Sequence, residues 1–225
     1  MPKEIRRDYK MSDADLIQRA DLLAISIARD ADAFTTRLVD AARIAILTNA
    51  RDAFDDTTTD VEWLGMVSDK TETKEAARRD LELSIRSLRN MADIVFEGKG
   101  LYHTFGFEKL SRLKDNDLYR ATKRVVWVAT LLLAELGPQG LTEEKINALS
   151  ALNLSFDNAL DELGQAMAQR EMESIFRIKL GNVLWKKMTD LASIGKSLFE
   201  DTTDEARYND YVLEEGAKTA RKTGD

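Results

Sequence analysis

Six residues on two predicted helices have the types and spacing to hold an anion. Apolar residues at 156, 160, 163 and 167, then at 184, 188, 191 and 198, follow alternating steps of four and three. That is the seam of a helix packed lengthwise against neighbours. The same steps through the gap between the two runs land on Arg170, Ser174, Arg177 and Gly181. An earlier stretch does likewise: Trp63 and Val67, then Lys70, Lys74 and Ala77, then Leu81, Leu88 and Val95, with Thr71 beside Lys70. Shifted by 103, Lys74 falls on Arg177 and Thr71 on Ser174. Each seam is therefore interrupted midway by a hydroxyl and a cation.

An inward cation costs several kcal/mol unless it is paired. Two chemistries answer that cost. Lys74 and Arg177 can snorkel outward or meet carboxylates such as Asp52, Asp55 or Glu173. Alternatively they line a polar pocket that receives a small anion, for which arginine offers bidentate contacts. Lys70, Thr71, Lys74, Arg170, Ser174 and Arg177 are the candidate ligand-binding residues on this second reading.

Other chemistry has little footing. Cysteine is absent, which excludes disulfides, thiolate metal sites and cysteine nucleophiles. The single histidine, His103, stands in "LYHTFGF" among aromatics, and one histidine cannot supply the paired Glu-x-x-His of a di-iron bundle. No G-x-G-x-x-G or G-x-x-x-x-G-K-[ST] occurs. "DAFDDTTTD" lacks the glycine and closing glutamate of a calcium loop and reads as a turn. No catalytic residue, metal or cofactor is expected, and the chain reads as a non-enzyme.

Aromatic pairs follow both long helices: Tyr102 and Phe105, then Tyr208 and Tyr211. They read either as plugs closing the bundle ends, with hydroxyls reaching water, or as exposed partner-docking patches. Trp63, Trp127 and Trp185 lie on or near apolar stripes and read as core.

The elements that position these residues are helical throughout. The only prolines are Pro2 and Pro138, and little alternating Val, Ile or Thr is available for strands. Ser12 caps a first helix to about Asp32, and Val39, Ile44, Leu47 and Phe54 mark a second. A long third helix runs from Asp60 to about Glu97, where "EGKG" ends it. Asp115 opens a fourth that stops at "LGPQG". Thr142 caps a fifth, a sixth runs from near Asp157 to Phe199, and Thr202 with Glu205 caps a short last piece.

Short, short, long thus occurs twice. "SDADLIQRA" at 12–20 and "KDNDLYRA" at 114–121 align at an offset of 102, from Asp13 to Asp115. Leu16/Leu118, Ile44/Ile146, Leu47/Leu149 and Phe54/Phe156 keep the same register. The expected fold is all-α: an elongated bundle of about six main helices, built as a diverged tandem duplication of a three-helix unit. One bundle spans 12–213 in repeats 12–106 and 114–213, with a flexible N-terminus at 1–11 and a flexible tail at 214–225.

A net charge of −7 argues against a nucleic-acid partner. "VVWVATLLLAEL" at 125–136 is too short to span a bilayer and reads as a helix buried on every side. The basic N-terminus lacks an apolar signal core, so a cytoplasmic location is expected. The function this composition points to is a non-catalytic helical interaction or scaffold protein, with a protein partner or a second copy of itself. The alternative is a small-ligand or anion-binding module using the mid-helix cations.

Overall fold

The computed structural model describes residues 5–213, with the side chains of Lys109 and Ser111 excepted. It is all-α: long helices packed on one another, with no strand among the described residues. In order these are α1 (Asp13–Arg29), α2 (Ala31–Thr35), α3 (Ala41–Asp55), α4 (Asp60–Phe96) and α5 (Gly100–His103). Then come α6 (Asp115–Leu131), α7 (Leu133–Leu136), α8 (Glu143–Phe199) and α9 (Glu205–Asp210). Short 3-10 turns cover Phe107–Arg112 and Gly137–Gln139. No helix among the described residues is long and apolar enough to cross a membrane.

Local signals set most boundaries. The Ser12 hydroxyl accepts from the Asp15 amide at 3.1 Å, and Asp40 caps α3 by accepting from Arg43 at 2.9 Å. Gly140 takes the left-handed conformation at φ 86° after Pro138, which separates α7 from α8. The last short helix differs from expectation. Asp204 caps α9 by accepting from the Arg207 amide, while the Thr202 hydroxyl turns back to Phe199 O.

A second difference lies in α8, which runs unbroken through the joint expected near Asp157. After α3 the chain turns at "DDTTTD", where short polar and β-branched residues compete with helical hydrogen bonds. The matching "DNALDE" at 157–162 supplies Ala, Leu and Glu, and the helix continues.

Where one bundle over 12–213 was expected, the chain divides into two compact units. One takes the chain up to Thr59 together with the part from Glu171 onward, and the other is Asp60–Arg170. In the first, Leu16, Leu23, Ile27, Phe34, Val39, Leu47 and Phe54 are buried with Leu184, Met188, Leu191 and Phe199. In the second, Leu118, Val125, Ala129, Leu136, Leu141, Leu149 and Phe156 are buried with Leu81, Ile85, Leu88 and Phe96. Each first group matches the other at an offset of 102, as Leu16 to Leu118 shows, and each second group at 103, as Leu81 to Leu184 shows. α1 and α3 therefore share a core with the far part of α8, and α6 and the near part of α8 share one with α4.

The segment expected to be flexible at 1–11 is partly described. There Tyr9 and Met11 are buried in the first unit, and the Asp8 amide donates to Asn182 Oδ1 at 2.8 Å. The tail expected at 214–225 lies outside the described residues, as do 1–4. "VVWVATLLLAEL" is not buried all round. Val125, Val128, Ala129 and Leu136 face the core, whereas Trp127 and Leu131 are exposed.

Candidate functional site

The mid-seam cations are held by carboxylates at the openings of the short helices. Arg177 on α8 donates from Nε to Asp13 Oδ2 at 2.8 Å and from Nη1 to Thr57 O at 3.0 Å and the Thr57 hydroxyl. Its guanidinium carbon lies 4.6 Å from the Phe54 ring centre. One side chain thus ties the first residue of α1 to the turn after α3. In the other unit, the buried Lys74 on α4 donates to Glu75 and, at 3.1 Å, to Asp115 Oδ2. Arg78, one turn later, donates to the other oxygen of Asp115 and to Leu113 O at 3.0 Å.

Asp13 and Asp115 are the residues aligned by the repeated stretch, and Lys74 and Arg177 are its matched cations. Both acids sit at a helix N-terminus, where the macrodipole favours negative charge. Hydrogen bonding to Glu75, ahead of that to Asp115, raises the Lys74 ammonium above its ordinary range against the opposing effect of burial. Burial is the largest single influence on the Asp115 carboxyl and by itself would raise it. Hydrogen bonds from Lys74 and Arg78 together outweigh burial and hold that carboxyl below its usual value.

The six candidate residues divide between the two units. Lys70, Thr71, Lys74 and Arg170 belong to the Asp60–Arg170 unit, and Ser174 and Arg177 to the other. Lys70 pairs with Glu162 at 2.8 Å near the surface, and the Thr71 hydroxyl donates back to Val67 O at 2.7 Å. Arg170 and Ser174 are half-buried. Of the two chemistries open at the level of sequence, the geometry around Lys74 and Arg177 is that of internal ion pairs. Their partners are Glu75, Asp115 and Asp13 rather than Asp52, Asp55 or Glu173. An anion arriving there would have to displace a carboxylate already in place.

The aromatic docking patches are corrected in part. Phe105 and Tyr211 are buried and cannot present a surface to a partner. Phe105 stacks on Phe107 with ring centres 4.8 Å apart, and Tyr211 stacks on Phe199 at 5.8 Å. The Tyr211 hydroxyl lies inside the core rather than at the surface. It donates to the buried Asp30 Oδ2 at 2.8 Å, and burial, then Asp30, pushes the phenol well above its ordinary range. Arg29, bonded to the same carboxylate, holds Asp30 below its usual value. Tyr102 and Tyr208 are half-buried, and the Tyr102 hydroxyl accepts from Arg89 Nε at 3.2 Å.

His103 is exposed, its Nδ1 lying 2.6 Å from Glu108 Oε1. No group of three or more His, Asp or Glu side chains stands close enough to hold a metal ion among the described residues. Sequence reasoning missed Asp13 and Asp115 as the partners of the cations, although the repeated stretch had already paired them. Nothing matches the chain in comparisons with protein families, with curated proteins or with solved structures.

Proposed function

We propose that the chain is a non-catalytic helical interaction protein that associates with a second copy of itself. The observation supporting this is an exposed large apolar residue at the matched place on both short helices: Ile25 on α1, 65% exposed, and Trp127 on α6, 62% exposed. Each has an exposed apolar neighbour one turn away, Leu22 on α1 and Leu131 on α6. The buried stripes of these helices run through Leu16, Leu23 and Ile27 and through Leu118, Val125 and Ala129, so the exposed residues form a separate face. A tryptophan left in water forfeits burial worth a few kcal/mol, which a partner surface would recover.

The same matching supports a tandem duplication in which the two copies exchange their long helices. A cytoplasmic location belongs to the same reading. Light scattering across protein concentration tests self-association. The wild-type mass should rise with concentration, and the Ile25→Glu/Trp127→Glu variant should stay monomeric with unchanged helix content. A wild type that is monomeric at every concentration refutes the reading.

A further inference from the structure

We infer that the Asp60–Arg170 unit holds a pocket for a small organic anion, between α4, α6 and the turn at Phe107–Arg112. The hollow measures about 180 Å³ and is walled by Ile85, Phe107, Leu110 and Leu118, all buried. Glu82, Arg86 and Arg89 complete its lining from successive turns of α4.

The charges at this mouth are unevenly satisfied. The Glu82 carboxylate is drawn aside by Arg78, whose Nε lies 2.9 Å away. Arg86 makes no ion pair or hydrogen bond among the described residues. Arg89 meets the Tyr102 hydroxyl through Nε at 3.2 Å and Asp93 at 3.8 Å. Two guanidinium groups three residues apart repel each other, and an anion between them removes that penalty. Planar guanidinium edges match the oxygens of a carboxylate or phosphate.

In the other unit the matched positions carry different side chains. At the offset of 103, Glu82 corresponds to Trp185, Arg86 to Thr189 and Arg89 to Ala192. Trp185 is buried there in one core with Leu16, Met188 and Ala192, the counterparts of Leu118, Ile85 and Arg89. Where one unit has a large apolar side chain, the other has a hollow and two arginines. The apolar walls suit a hydrocarbon body, whose burial there would remove apolar surface from water. The volume lies below the roughly 300–1,000 Å³ of sites for drug-sized molecules. The occupant is therefore short: an oxyanion head on a small aliphatic or aromatic tail.

Calorimetric titration of the full chain tests this with hexanoate, benzoate, phenyl phosphate, inorganic phosphate and hexanol. Hexanoate, benzoate or phenyl phosphate should bind the wild type, and the better head group separates a carboxylate ligand from a phosphate ester. Affinity should fall at least tenfold in Arg86→Gln/Arg89→Gln, while hexanol and inorganic phosphate bind at least tenfold more weakly than the best probe. Arg86→Gln alone, at a residue with no partner to lose among the described residues, should also weaken binding and keeps the test valid if the double variant misfolds. Equal binding by the variants, equal binding of hexanol, or no binding by any organic anion overturns the proposal.

Discussion

Replacing Arg177 with methionine isolates the ion pair that joins α1 to the end of α3. Methionine keeps most of the apolar stem, so the loss reports charge and hydrogen bonding rather than a cavity. Arg177 and Asp13 are only 12% and 20% exposed. Breaking a buried pair costs about 3–5 kcal/mol, and a hydrogen bond to a charged group contributes about 1.5–3 kcal/mol. Residual exposure lowers these values. So do the partners Asp13 retains: Arg7 at 3.0 Å and the Tyr9 hydroxyl at 3.1 Å. The expected loss is about 2–4 kcal/mol, with the melting temperature falling about 2–4 °C per kcal/mol for a chain of this size.

Urea unfolding followed by tryptophan fluorescence measures the loss, because Trp185 lies in the affected core. Lys70→Met is the control: its pair with Glu162 is well exposed, and the change should stay within about 0.5 kcal/mol. A double-mutant cycle of Arg177→Met with Asp13→Asn should give a coupling of about 1–2 kcal/mol. If Arg177→Met costs no more than Lys70→Met, or if the cycle is additive, the pair is not holding the unit together and the reasoning fails.

Packing and connectivity give further outcomes. Gly164→Ala on α8 meets nothing within 4 Å and should stabilise by about 0.5–1 kcal/mol in urea unfolding. Gly195→Ala would place its Cβ on the Tyr211 ring and should destabilise by about 1–3 kcal/mol, so equal effects at the two positions would contradict the packing. A protease site inserted between Arg112 and Leu113 should yield two pieces that co-elute on gel filtration and separate only in denaturant, because each unit takes helices from both sides of the cut. Separation under native conditions would refute the exchange of long helices.

Particular residues show how far the sequence reaches. Ser12, Asp40 and the Gly-Pro cluster at 137–140 mark boundaries through interactions a few residues long, which is why they are legible without a fold. Thr202 misled because Asp204, two residues on, was an equally suitable cap. The break near Asp157 failed because matched positions do not imply matched propensity: Ala159 and Leu160 favour the helix that Thr57 and Thr58 interrupt. Trp127 misled for a different reason. It belongs to an apolar run, but a run longer than one buried stripe leaves some members on the outer face.

The sequence alone determined the helical class, most helix starts, and the matched positions that place a cation midway along each long helix. Only the tertiary structure decided which partners those positions meet. Periodicity says that a helix has an apolar face, but hydrophobic attraction has no direction and does not say which other face will cover it. The choice of α4 to cover α6, and of the far part of α8 to cover α1, brings Asp115 to Lys74 and Asp13 to Arg177 across separations of 41 and 164 residues. Those contacts turn two candidate binding cations into internal pairs.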